Sequence, residues 1–162
     1  MNLIKQCFKQ LYLLLGLSLI APATFADNAA ILQQANTAYE RADFYTAADA
    51  YELMLVATPD AADLRLALAH CYFFNRRIEA AEAQVILLLD AGHNDMPVTL
   101  LHAQISIDQG QWQAAESILL AAIAEDANNP TAHLLLGSVL MELGEIEDAE
   151  AQFGLYQSLS QE

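Results

Sequence analysis

Apolar residues along most of this chain recur at the i, i+3, i+4, i+7 spacing of an amphipathic helix, in eight segments separated by short polar breaks. The pattern predicts helices over 29–41, 44–57, 62–74, 78–90, 96–108, 112–125, 131–142 and 146–159. Gly110 and Gly144 mark two of the turns. Pro59, Pro97 and Pro130 fall between helices or in a first turn, where a missing amide hydrogen does little harm.

A second, longer period overlies the first. Ala47, Ala81, Ala115 and Ala149 lie 34 residues apart without an insertion. Other columns keep the same period: Tyr51, Val85, Leu119 and Phe153; Phe44, Ile78, Trp112 and Ile146; Leu32, Leu66, Leu100 and Leu134; Tyr39, Phe73, Ile107 and Met141. Ala35, Ala69, Ala103 and Gly137 add a column of small residues. Independent columns agreeing on one period predict an array of helix pairs, each burying its apolar side only against its neighbours. The ends differ as terminal units should: Leu55, Leu89 and Ile123 give way to Gln157, and Leu68, His102 and Leu136 correspond to Gln34.

The stretch from Ala35 through Tyr39, Ala47 and Tyr51 to Pro59 resembles the tetratricopeptide repeat family in its order of small, aromatic, alanine, aromatic and proline residues. Gly137, Gly144, Ala149 and Phe153 repeat that order in the last unit. The chain departs from the family where a tryptophan is common, carrying Ile31, Arg65, Thr99 and His133, and has the closing proline only as Pro59. The resemblance implies an all-α, right-handed superhelical solenoid of four helix-turn-helix repeats, over about 28–61, 62–95, 96–129 and 130–162.

The first residues follow another rule. Lys5 and Lys9 precede an apolar run from Leu11 to Ala21, and small residues close it in Ala21-Pro22-Ala23-Thr24-Phe25-Ala26. This is the layout of a secretory signal peptide, with cleavage expected after Ala26 or, alternatively, Ala23. The run is short of the ~20 residues a spanning helix needs. Residues 1–26 are therefore expected to be removed, leaving a repeat domain over 27–162 in the bacterial periplasm. The chain contains no Asn-X-Ser/Thr acceptor.

Processing takes the formal charge from −15 to −17, because both lysines leave and no acid does. The remaining cations are Arg41, Arg65, Arg76 and Arg77. A surface so acidic has no basic patch with which to displace counterions from phosphate, which argues against nucleic acid and anionic lipid as partners. Cys71 alone remains after cleavage, so no internal disulfide can form.

No constellation of reactive groups emerges. His70, His93, His102 and His133 include no two at metal-ligand spacing on one helix, although His102 and His133 fall on neighbouring first helices. Ser106, Ser117 and Ser138 lack a nucleophile elbow, and no glycine-rich phosphate loop is present. The expectation is a non-enzyme without metal or cofactor, acting as a scaffold or chaperone in assembly of an envelope structure such as a pilus, a secretion system or a cytochrome maturation complex. Two alternatives stand beside it: a metal- or ligand-binding accessory using the histidines, and a structural subunit that self-associates through Leu155, Tyr156 and Leu159 of the last helix.

The resemblance also implies a concave groove lined by the first helix of each pair. Its residues would be Leu32, Asn36 and Tyr39; Leu66, His70, Phe73 and Phe74; Leu100, Gln104 and Ile107; and Leu134, Ser138 and Met141. Glu40, Asp63, Asp108 and Glu142 would form an acidic rim. The family's lysine- and arginine-based clamp for C-terminal carboxylates is missing, with only Asn36 surviving. The expected partner is instead an extended or helical protein segment with apolar anchors and flanking Lys or Arg.

Overall fold

The computed structural model describes residues 25–161. Eight helices follow one another: α1 (Phe25–Glu40), α2 (Phe44–Ala57), α3 (Ala62–Phe74), α4 (Ile78–Asp90), α5 (Met96–Asp108), α6 (Trp112–Glu125), α7 (Pro130–Leu143) and α8 (Ile146–Leu159). No strand occurs among the described residues. Six ranges coincide with those the sequence predicts; α1 starts four residues earlier and ends one earlier, and α7 gains one residue at each end. The expected signal segment lies outside the described residues, apart from Phe25 and Ala26 at the start of α1. No helix among the described residues is long and apolar enough to cross a membrane.

One turn closes every helix pair. Ala42, Arg76, Gly110 and Gly144, each 34 residues from the next, have φ of 58°, 60°, 70° and 84°. In each turn the amide of this residue donates to the carbonyl three residues back, and the following amide donates five residues back, as in Gly144 to Met141 and Glu145 to Leu140. That pairing satisfies the orphan carbonyls at a helix end and requires a left-handed residue. A side chain at such a φ costs roughly 1 kcal/mol relative to glycine. Ala42→Gly is therefore expected to raise stability by about 0.5–1 kcal/mol and Gly144→Ala to lower it by a similar amount. Denaturant titration of the two variants checks this, and equal midpoints would contradict it.

Side-chain caps start the helices where the sequence supplies them. Asp43 accepts from the Thr46 amide at 3.2 Å, Asp95 from Val98 at 3.3 Å and Asn129 from Ala132 at 3.1 Å. Pro97 and Pro130 occupy first-turn positions behind two of these caps, the site where a fixed φ helps and a lost amide hydrogen does not matter.

Each helix packs on the next in sequence. In addition α3 meets α5 and α5 meets α7, whereas the second helices of successive pairs make no comparable contact. The first helices thus line the closely spaced, inner side of the array, and the second helices splay on its outer side. The small columns are the points of close approach: Ala47, Ala81, Ala115 and Ala149 are fully buried, as are Ala35, Ala69 and Ala103. At Gly137 a Cβ would stand 2.7 Å from the Phe153 ring, so the last pair closes only around glycine.

The buried residues form two clusters that share α5. Val98, Leu101 and Ile105 face the core of α1–α4, while Ala103 faces that of α6–α8, with Leu119, Leu136 and Val139. The α4–α5 junction is the loosest of the consecutive pairs. Its linker turns through Gly92 at φ 86°.

Candidate functional site

The first helices face the groove side of the array, but their apolar stripe is divided between two duties. Leu32, Tyr39, Leu66 and Phe73 pack against the first core cluster, and Leu100 and Ile107 against the second. Leu134 and Gln104 are half-buried. The cause is packing of each first helix against its neighbours in sequence, with added contacts of α3 with α5 and of α5 with α7. Of the apolar residues expected there, Phe74 at 51% and Met141 at 46% remain well exposed. Ser138 is exposed one turn before Met141 on α7.

Leu32, Asn36 and Asp63 come together around a hollow of about 500 Å³ between α1, α2 and α3, with Tyr51, Met54 and Ala67 completing its wall. The Tyr51 hydroxyl donates to Asn36 Oδ1 at 2.9 Å. This orients the Asn36 amide so that its nitrogen is left as a donor at the edge of the hollow, suited to a peptide carbonyl. Burial, with a smaller contribution from Cys71, raises the Tyr51 pKa and keeps the hydroxyl in its donating form.

A run of rings gathers where α1 and α3 end and α2 begins. Phe44 stacks on Phe74 with centroids 4.6 Å apart and planes at 20°, and His70 stacks on Phe74 at 6.2 Å and 19°. Tyr39 meets Phe44 edge-on at 5.5 Å, and Phe73 meets Phe74 at 5.7 Å. The stack holds the Phe74 ring in place while half its surface stays in water, which lowers the ordering cost of a side chain that binds a partner. In the sequence Phe44 is one member of the apolar column shared with Ile78, Trp112 and Ile146. Its place 30 residues before Phe74 puts it on the preceding pair, and only the fold shows that the two rings meet.

The acidic rim is also partly spent. Glu40, Asp63 and Glu142 are exposed. Asp108 is not the free rim acid expected from the sequence: Arg76 Nη1 donates to its Oδ2 at 2.5 Å, because the left-handed turn after α3 sets Arg76 beside the end of α5. Other arginines are held too. Arg65 donates to Gln84 Oε1 at 2.9 Å and to the Pro59 carbonyl, and the Arg77 guanidinium lies 4.3 Å from the centre of the Tyr72 ring.

Two histidines titrate abnormally. Burial holds the His70 and His102 pKa values below the ordinary histidine range, with Glu82 opposing the shift at His102. A native pKa below the unfolded one means stability that is complete above about pH 6.5 and is lost as pH falls through the unfolded value toward the folded one. The double variant His70→Gln, His102→Gln should therefore show a shallower fall in Tm between about pH 7 and 5 than the parent chain. Thermal melts by circular dichroism at several pH values decide it; parallel slopes would contradict it.

His133 is buried, with Nε2–H donating to the Ala127 carbonyl oxygen at 3.0 Å and Nδ1 2.7 Å from the Gln152 side-chain amide, whose NH2 group donates to Nδ1. Both ring nitrogens are thus engaged in tying α7 to α8 and to the preceding loop. Burial pushes the Cys71 thiol up to about 12, which leaves it un-ionised at neutral pH and a poor nucleophile. Among the described residues no three His, Cys, Asp or Glu side chains are grouped to hold a metal ion.

The family model for the tetratricopeptide repeat matches residues 106–157. The solved structure of MamA protein superposes with a TM-score of 0.71, at 20% identity over 82% of this chain and 73% of that one. The chain folds as a tetratricopeptide repeat protein. The same tetratricopeptide architecture appears in PilW, a widely conserved type IV pilus biogenesis factor, at 23% identity, TM-score 0.72, 84% of this chain and 63% of that one. It appears again in YrrB, a TPR protein with an unusual peptide-binding site, at 19% identity, TM-score 0.66, 80% of this chain and 66% of that one. No curated protein matches the sequence.

Proposed function

We propose that this tetratricopeptide protein is a non-catalytic interaction module whose inner groove holds a segment of another protein. The observation that carries the reading is the fixed, half-exposed Phe74 ring at the end of α3, the helix whose first half walls the hollow edged by Asn36 and Asp63, with Met141 of α7 as a second anchor. Glu40, Asp63 and Glu142 give the groove the sign that attracts Lys and Arg. The segment that fits is extended or helical, apolar at its anchors and basic at its flanks.

The biological setting we propose is the bacterial periplasm, reached by way of a signal peptide over 1–26, with the array occupying 27–162. There the module serves as a scaffold or chaperone in assembly of an envelope structure such as a pilus, a secretion system or a cytochrome maturation complex. The likeness of fold to PilW, a pilus biogenesis factor, supports the envelope setting, and the likeness to YrrB supports peptide binding. Capture experiments from the native envelope fraction test the reading. A polypeptide retained by the chain and released by Phe74→Ala with Met141→Ala is the expected result, and equal retention by both would contradict it.

A further inference from the structure

The outer side of the array carries an exposed apolar surface that the groove does not explain. Positions 45, 49, 52, 53 and 56 of α2, and their counterparts 34, 68 and 102 residues later in α4, α6 and α8, are all exposed. Leu53, Leu87 and Leu155 occupy one of these positions in three of the four helices, and Val56, Ile86 and Leu120 flank them. Val56 is 82% and Leu53 56% exposed. Scattered surface leucines need no explanation, but leucines kept in phase at one position in three of four units, with Leu120 beside that position in the remaining one, form a row. The second helices make no contact with one another comparable to that between neighbouring helices, and a hollow of about 390 Å³ beside Leu87 lies between the α2–α3 loop, the start of α3 and the end of α4.

The charges around the row select its occupant. Those twenty outward positions include no Lys or Arg and five acids: Asp49, Glu52, Glu79, Asp90 and Glu147. No Lys or Arg follows Arg77 in the sequence, whereas fourteen of its 21 acids do. Arg65, Arg76 and Arg77 are engaged by other groups of the chain. A second copy laid on this face would set acids against acids, and an anionic lipid surface would be repelled likewise. We infer that the outer face of α2, α4, α6 and α8 is a second docking surface, for an amphipathic helix of another protein that presents leucine-like residues on one side and Lys or Arg beside them. With the groove on the opposite side, the chain would then join two polypeptides.

The test uses the full chain and a synthetic helix-forming peptide of leucine and lysine with apolar residues at i, i+3, i+4 and i+7, titrated calorimetrically. The triple variant Leu53→Ser, Leu87→Ser, Leu155→Ser alters exposed side chains only, and an unchanged thermal melt confirms its fold. The expected result is that the triple variant binds one equivalent of peptide fewer than the parent chain, while Phe74→Ala retains that equivalent. A companion peptide with glutamate in place of every lysine should bind this surface at least tenfold more weakly. An undiminished stoichiometry in the triple variant, or equal binding of the glutamate peptide, overturns the inference. So does sedimentation showing a dimer of the parent chain that the triple variant abolishes, since the occupant would then be a second copy.

Discussion

Ala115→Leu is expected to destabilise the second half of the array by about 1–3 kcal/mol and to lower its Tm by roughly 3–10 °C. Ala115 is fully buried in the cluster of Leu119, Leu136 and Val139, at the repeat position where the two helices of a pair come closest. Three extra carbons there have no void to enter, so α5 and α6 must separate or side chains must leave their rotamers. The array is quasi-linear, and its two clusters meet only through α5. The damage should therefore stay local: α6–α8 melt first and α1–α4 keep their helicity, giving a biphasic far-ultraviolet transition. A single transition at the parent temperature would contradict the packing described for that column.

Phe74→Ala is expected to weaken the groove partner by about 2 kcal/mol or more, on the order of thirtyfold, with little change in stability. Phe74 is exposed over half its surface, so its truncation removes contact with a partner more than contact with the core. Phe73 is a poorer choice for such a test because it packs against the first cluster, and its loss would mix unfolding with binding. Raised salt should slow association more than it speeds release, since the exposed rim acids act at a distance and the ring acts on contact. Stopped-flow binding to the captured partner separates the two rates. An unchanged dissociation rate in Phe74→Ala would remove the ring from the binding site.

Much of the fold was legible because the 34-residue period reports burial directly. Columns such as Ala47–Ala149 and Ala35–Gly137 had to be small for helices to meet, and all are buried. The start of α1 was less legible, since the apolar columns begin at Leu32 while the helix begins at Phe25. Pro130 similarly belongs to α7 as its first residue, behind the Asn129 cap.

The groove was harder to read, for a different reason. A repeat column states that a position recurs, not which of its neighbours covers it. Leu32 and Leu66 belong to a column that is leucine in all four units, and the outer row is leucine in three, yet the former pack against the core while the latter stay exposed. The Arg76–Asp108 pair spans almost one whole repeat, a spacing that carries no local signal. The outer row did have a signal in Leu53, Leu87 and Leu155, at the same period as everything else.

The central claim is that the inner groove receives a protein segment, and site-specific photo-crosslinking tests it most directly. A photoreactive side chain at Ser138, exposed on the groove side of α7, should form adducts in the native envelope fraction with one polypeptide, mapping to a segment with apolar residues flanked by Lys or Arg, and Phe74→Ala should reduce the yield. Adducts spread over unrelated proteins, or the same yield from the Phe74→Ala chain, would contradict the claim.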